Sequence, residues 1–215
     1  METNNANRIV NAHNLLNVNQ YYKQITKKTR IVLHHTAGGS AKSSIDWWNE
    51  KPDHVSTPYI IDRDGTIYET FDPQYWSYGL GINDTIYEKS CIQIELCNFG
   101  GLTQLDGKYY IFGNKAKEIE RPKVQIYKAE HRGYQAFEKY TQQQIDSVIY
   151  LIDYLSKRFG IKIDNVEKFW YYDLNSNKTL ISHTTVRKDK SDIHPQPDLI
   201  KAIYEYADCK APVTE

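Results

Sequence analysis

The sequence predicts a single α/β domain, a central mixed β-sheet flanked by helices, and three observations carry that prediction. Short apolar runs of strand length recur along the chain, two segments in its C-terminal half show helical periodicity, and 215 residues suffice to bury one substantial core. Hydrophobic residues make up 40% and charged residues 25%, a globular balance without repeats, low-complexity tracts or a glycine-rich phosphate loop. Residues 1–27 read as a polar N-terminal arm, 28–208 as the folded domain with an insertion at about 100–140, and 209–215 as a tail.

Ile31, Val32 and Leu33 form an unbroken aliphatic run, the mark of a strand buried on both faces, and Gly38-Gly39-Ser40 turns the chain after it. Ser44 to Asn49 reads as a short helix, capped by Ser43 or Ser44 and closed by Pro52. Thr57 to Phe71 reads as a hairpin with arms Tyr59-Ile60-Ile61 and Thr66-Ile67-Tyr68, because Arg63-Asp64-Gly65 carries the Asp-Gly turn signal. Residues 74–81 make an aromatic loop. Ser90 to Cys97 is a core strand interrupted by Glu95, and a carboxylate so placed needs a partner or a role, since an unpaired buried charge is costly.

From Phe99 to Tyr140 the chain reads as polar and irregular, with one hairpin at Asp106-Gly107. Thr141 then caps a helix to Phe159, where Ile145, Val148, Ile149, Ile152 and Leu155 recur at helical spacing before Gly160 stops it. A second short strand, Thr179 to Ser182, ends on His183, and Asp198 to Ala207 closes the domain as a helix.

Formal net charge is zero, so no global field steers the chain toward nucleic acid or an anionic membrane. No apolar run is long enough for a membrane span or a secretory leader, and cytoplasmic synthesis is the expectation. Cys91, Cys97 and Cys209, an odd number without a CxxC pair, argue against a disulfide framework and a thiolate zinc cage. Eighteen tyrosines and four tryptophans offer flat apolar faces with polar edges, suited to a ligand that is part sugar or part peptide.

Three distant segments share one design, an apolar approach with an ionisable group at its exit. These groups are His34, Glu95 and His183, with Lys190 and Asp192 in the loop after the last. Two imidazoles and a carboxylate are what a catalytic zinc takes from a protein, and a further carboxylate can then move a proton. Spacing alone does not separate such a site from polar residues scattered around a core, because the ligands lie in no compact motif.

The segments IVLHHTAGG, IIDRDGTIY, CIQIELCNFG, YTQQQID and SHTTVRKDKSDIHPQP resemble, in this order, those of zinc-dependent N-acetylmuramoyl-L-alanine amidases, over roughly residues 28–208. That family includes phage amidase lysozymes and peptidoglycan recognition proteins. The resemblance implies their fold and hydrolysis of the amide between N-acetylmuramic acid and the L-alanine of the stem peptide, with a non-catalytic muropeptide-binding module of the same fold as the alternative. It implies zinc held by His34, His183 and Asp192, with Asp189 the second choice for third ligand and His35 turned away. Glu95 becomes the general base and Lys190 the cation beside the reacting carbonyl. Peptidoglycan or muropeptides would be the partner of a monomeric protein, either a phage lysin released on lysis or a cytosolic wall-recycling enzyme.

Trp48, Thr57, Tyr59, Trp76 and Tyr78 are the candidate substrate contacts, and Trp47 is assigned to packing. Two departures from the family stand out. Relatives often carry a histidine in the aromatic loop, where this chain has Ser77 or Gly79, and a substrate-wall tyrosine where Thr57 stands, leaving Tyr59 or Tyr78 to take its part.

Overall fold

In order along the chain, the computed structural model contains β1 (Ile9–Asn11), β2 (Arg30–His35), α1 (Ala41–Asn49), β3 (Tyr59–Ile61), β4 (Ile67–Glu69), α2 (Thr85–Ser90) and β5 (Cys91–Leu96). There follow β6 (Gly101–Leu105), β7 (Lys108–Ile111), β8 (Glu118–Ile119), β9 (Val124–His131), β10 (Tyr134–Glu138), α3 (Gln142–Phe159), β11 (Leu180–Ser182), α4 (His183–Val186) and α5 (Pro197–Lys210). The structure describes residues 9–51 and 53–210, with side chains as far as Asp208. The first eight residues of the expected arm, Pro52 as the expected end of the first helix, the Cys209 side chain and the tail from 211 lie outside the described residues.

Six strands form the central sheet in the order β1-β4-β3-β5-β2-β11. It is mixed: β11, β2, β5 and β3 run parallel to one another, β3 and β4 form the antiparallel hairpin, and β1 lies parallel to β4. The continuous apolar sequences of β2 and β5 follow from burial of both faces. On one face Ile31, Leu33, Ile92 and Ile94 pack against Val148, Leu151, Ile152 and Leu155 of α3. On the other, Val32 packs with Leu80, Ile181 and Val186.

α3 begins at a capping box in which Thr141 Oγ1 accepts from Gln144 N and the Gln144 side chain returns to Thr141 N. It ends at Gly160, whose φ of 65° places it in the left-handed region that favours glycine. α1 starts earlier than its apolar pattern indicates, because Ser40 is the cap and Ser43, expected as a cap, is the third residue of its capping box. Short α2 and α4 lie where no helix is predicted; neither is long enough to show periodicity.

Two larger differences from the sequence expectation concern the arm and the insertion. Residues 9–27 are built into the domain: Ile9 pairs with Ile67 at the sheet edge, Leu16 and Tyr21 are buried, and the Tyr21 ring stacks on Phe71 at 4.5 Å. Residues 101–138 are not an irregular loop but a second sheet, antiparallel, in the order β8-β7-β6-β10-β9. Leu102, Tyr109, Ile111, Val124 and Ala136 make its small core. The expected turn at Asp106-Gly107 does join β6 to β7, with positive φ at both residues as a tight hairpin requires. Among the described residues no helix is long and apolar enough to cross a membrane.

Candidate metal centre

The register of the central sheet gathers the site. β11 pairs Ser182 with Leu33, so His183, the next residue, falls beside His34 at the C-terminal ends of parallel strands. On the opposite side of β2, Glu95 of β5 is paired directly with His34. Crevices outside the carboxyl ends of parallel strands are where such sheets hold ligands, because the chain leaves the sheet there and side chains gain open space. Asp192 returns to this edge through the loop after α4, where its carbonyl accepts the Thr184 amide at 2.9 Å.

Three ligand atoms converge. His34 Nδ1 lies 3.1 Å from His183 Nδ1 and 3.2 Å from Asp192 Oδ2, and His183 Nδ1 lies 3.0 Å from the same oxygen. All three residues are buried. His183 Nε2 is 2.9 Å from the Leu80 carbonyl, which can only accept, so the ring carries its proton there and Nδ1 presents a lone pair. Burial lowers the pKa of His34 despite the carboxylate beside it, favouring a neutral ring. Burial works against ionisation of Asp192 too, but the two imidazoles beside it, His183 foremost, win and hold its carboxyl well below the usual range. Lone pairs converging on one point repel each other unless a cation lies among them, and their spacing matches the ligand separation of about 3.3 Å that tetrahedral bonds of about 2.0 Å produce. The donor set therefore fits a metal ion.

Glu95 and Lys190 line the same cavity of about 610 Å³ as the triad. Burial first, and the Asp192 charge second, push the Glu95 carboxyl well above its ordinary range, with Lys190 opposing, and its Oε2 has no hydrogen-bond partner. Two arginines brace the loop that carries Lys190 and Asp192. Arg132, in the β9–β10 turn, donates to the Thr184 and Lys188 carbonyls at 3.0 Å each, and Arg187 donates to the Gly81 carbonyl at 2.8 Å. Arg187 also grips Asp189 through two bonds, at 2.8 and 2.5 Å. That pairing holds Asp189 apart from the ligand triangle and keeps its carboxyl well below the usual range.

His35 points to the α3 side, with Nδ1 3.0 Å from the Tyr140 hydroxyl, because successive residues of a strand face opposite sides. Trp48 lines the cavity, but the other four candidate substrate contacts are placed elsewhere. Tyr59 is wholly inside the core with its hydroxyl on Glu69 at 2.7 Å, a consequence of its position in a strand covered on both faces. Thr57 is buried and bonds the Tyr59 carbonyl. Trp76 is spent on stacking against Tyr22 at 4.2 Å and on a bond to Gln24, and Tyr78 packs edge-on to Trp76. Trp47, assigned to packing, is instead 50% exposed and lines the cavity with Ser43, Ser44 and Trp48. The missed signal was helical spacing, since residues three and four apart share one face. Of Ser77 and Gly79, Gly79 lines the cavity and Ser77 is buried with its hydroxyl on the Ser56 carbonyl.

The sequence profile of the N-acetylmuramoyl-L-alanine amidase family matches residues 24–197. No curated protein matches the sequence. Among solved structures, PlyL superposes with a TM-score of 0.54 at 11% identity, over 91% of this chain and 95% of its own. The Ph2119 endolysin from a Thermus scotoductus bacteriophage gives 0.51 at 16% identity, covering 93% of this chain and 98% of that one. The E. coli amidase AmiD, solved with anhydro-N-acetylmuramic acid-L-Ala-D-gamma-Glu-L-Lys, gives 0.52 at 18% identity over 84% of this chain and 59% of its own. These likenesses establish a shared fold, and the profile, spanning most of the chain, establishes the family. The chain belongs to the N-acetylmuramoyl-L-alanine amidases.

Proposed function

We propose that the protein is a zinc-dependent peptidoglycan amidase that hydrolyses the amide between N-acetylmuramic acid and the L-alanine of the stem peptide. The observation that carries this reading is the convergence of His34, His183 and Asp192, with Glu95 and Lys190 in the same cavity. Two imidazoles and one carboxylate suit zinc, which when bound supplies a Lewis acid to the amide carbonyl and to the attacking water.

Glu95 is the group that moves the proton. Its raised pKa suits it to accept a proton from the attacking water and return it to the departing amine of L-alanine. Lys190, in the lining of the same cavity, sets a positive charge where negative charge grows on the carbonyl oxygen. Trp47 and Trp48 provide an aromatic wall for the glycan or stem peptide. We read the protein as a monomer acting on peptidoglycan or muropeptides. Endolysins of the same fold favour a lysin over a wall-recycling enzyme.

Zinc content and muropeptide hydrolysis, measured together on E95Q and H183A, test the reading. E95Q is expected to keep its zinc and lose turnover by at least about 100-fold, the scale of general acid–base catalysis. H183A is expected to lose zinc and stability together. Wild-type protein that takes up no zinc when supplied with it, yet binds muropeptide without cleaving it, would establish the binding module instead.

A further inference from the structure

A buried carboxylate that the chemistry above does not use sits behind the metal centre. Glu88, in α2, is completely buried, and both its oxygens lie 3.2 Å from the Leu80 amide. Burial raises its carboxyl pKa, while the amides of Leu80, Ile82, Gly81 and Gly79 favour the ionised form. Gln93 Nε2 also donates to Glu88 Oε2, at 3.2 Å. One carboxylate thus holds a loop and a side chain together.

Each of these leads to a different imidazole. From the loop, the Leu80 carbonyl accepts the His183 Nε2 proton at 2.9 Å. Gln93 stands two residues before Glu95 on β5, hence on the same face, and its amide adjoins the His34 ring. With Nε2 committed to Glu88, the Gln93 oxygen is left for that ring. Gln93 Oε1 and His34 Nε2 are both buried without a hydrogen-bond partner. An imidazole that binds metal through Nδ1 keeps its proton on Nε2 and needs an acceptor there, and Gln93 Oε1 is chemically that acceptor. Gly79 gives the amide its room: a Cβ there would lie 1.9 Å from Gln93 Oε1 and 2.5 Å from its Cδ.

We propose that Glu88 and Gln93 are positioning residues of the metal centre, a single buried carboxylate orienting both imidazoles, His34 through the Gln93 amide and His183 through the Leu80 carbonyl. The inference rests on the metal-binding reading of the triad. It also gives Gly79 a role of its own, as the residue that leaves Gln93 space to reach His34.

The test compares wild-type, Q93M, G79A and E88Q proteins stripped of metal. Zinc dissociation constants come from competition with a chromophoric chelator, ligand geometry from the visible absorption of the cobalt-loaded proteins, and fold integrity from melting of the metal-free forms. Q93M and G79A, which act first on the His34 arm, are expected to weaken zinc binding about 10- to 100-fold and to alter the cobalt spectrum, with the metal-free melting of Q93M close to wild type. E88Q, which disturbs both arms, is expected to exceed either; should it fail to fold, the other two variants decide. Wild-type zinc affinity and cobalt spectra in Q93M and G79A would overturn the proposal, as would lowered metal-free melting with unchanged zinc affinity. Wild-type protein that takes up no zinc would overturn the metal reading and this proposal with it, whereas tight wild-type binding with unaltered variants overturns this proposal alone.

Discussion

His34 and His35 are chain neighbours with opposite surroundings, and the pleat of one strand separates them. His34 meets His183 and Asp192, whereas His35 is buried against Tyr140, where desolvation pushes its pKa down to about 4 from an ordinary 6.5. An unfolded chain takes up a proton at His35 below 6.5, and the folded protein does so only near 4. Stability is therefore lost as pH falls through that window, by up to about 3 kcal/mol from this residue. Urea unfolding of metal-free protein across this range should show that loss, and H35Q should flatten it; equal slopes in the two proteins would contradict the assignment. His34, His183, Asp192, Glu95 and Lys190 stand out in the sequence because motifs in fixed order mark them. Trp47, Gln93 and Glu88 do not, since a cavity wall and a hydrogen-bond relay come from packing between segments that no local pattern records. Tyr59, Thr57, Trp76 and Tyr78 lie away from the cavity for the converse reason: an aromatic or hydroxyl residue in sequence does not declare whether packing will use it up.

Elements with a long buried run or a regular buried stripe are the easiest to read. β2, β5 and α3 announce themselves by unbroken aliphatic runs or strict helical spacing, and caps such as Thr141 and Gly160 mark their ends. The second sheet is hidden in the sequence because its strands are partly exposed, so polar and charged residues blur the alternation that would reveal them. It reaches the site through Arg132, which ties the β9–β10 turn to α4 and to the start of the loop bearing Lys190 and Asp192. R132A should let that loop open more readily, with amide exchange over residues 184–190 roughly tenfold faster, the effect of losing a little over 1 kcal/mol of hydrogen bonding. Exchange at the wild-type rate would show that the turn merely rests on the loop.

Across the whole molecule, three neighbouring parallel strands bring His183, His34 and Glu95 side by side from positions far apart in sequence, and one loop adds Lys190 and Asp192. Long-range register, which sequence spacing does not encode, gathers separate motifs around one cavity, where a His-His-Asp cluster is positioned for a metal ion with the Glu95 carboxyl in the same lining. The most direct test of that account is mass analysis of the products formed from a muropeptide by wild-type protein, by protein treated with chelator, and by the treated protein after zinc is restored. The account predicts a free N-acetylmuramic acid moiety and a stem peptide beginning with L-alanine, formed with zinc and not without it. Cleavage at a glycosidic bond, cleavage within the stem peptide, or turnover indifferent to the chelator would contradict it.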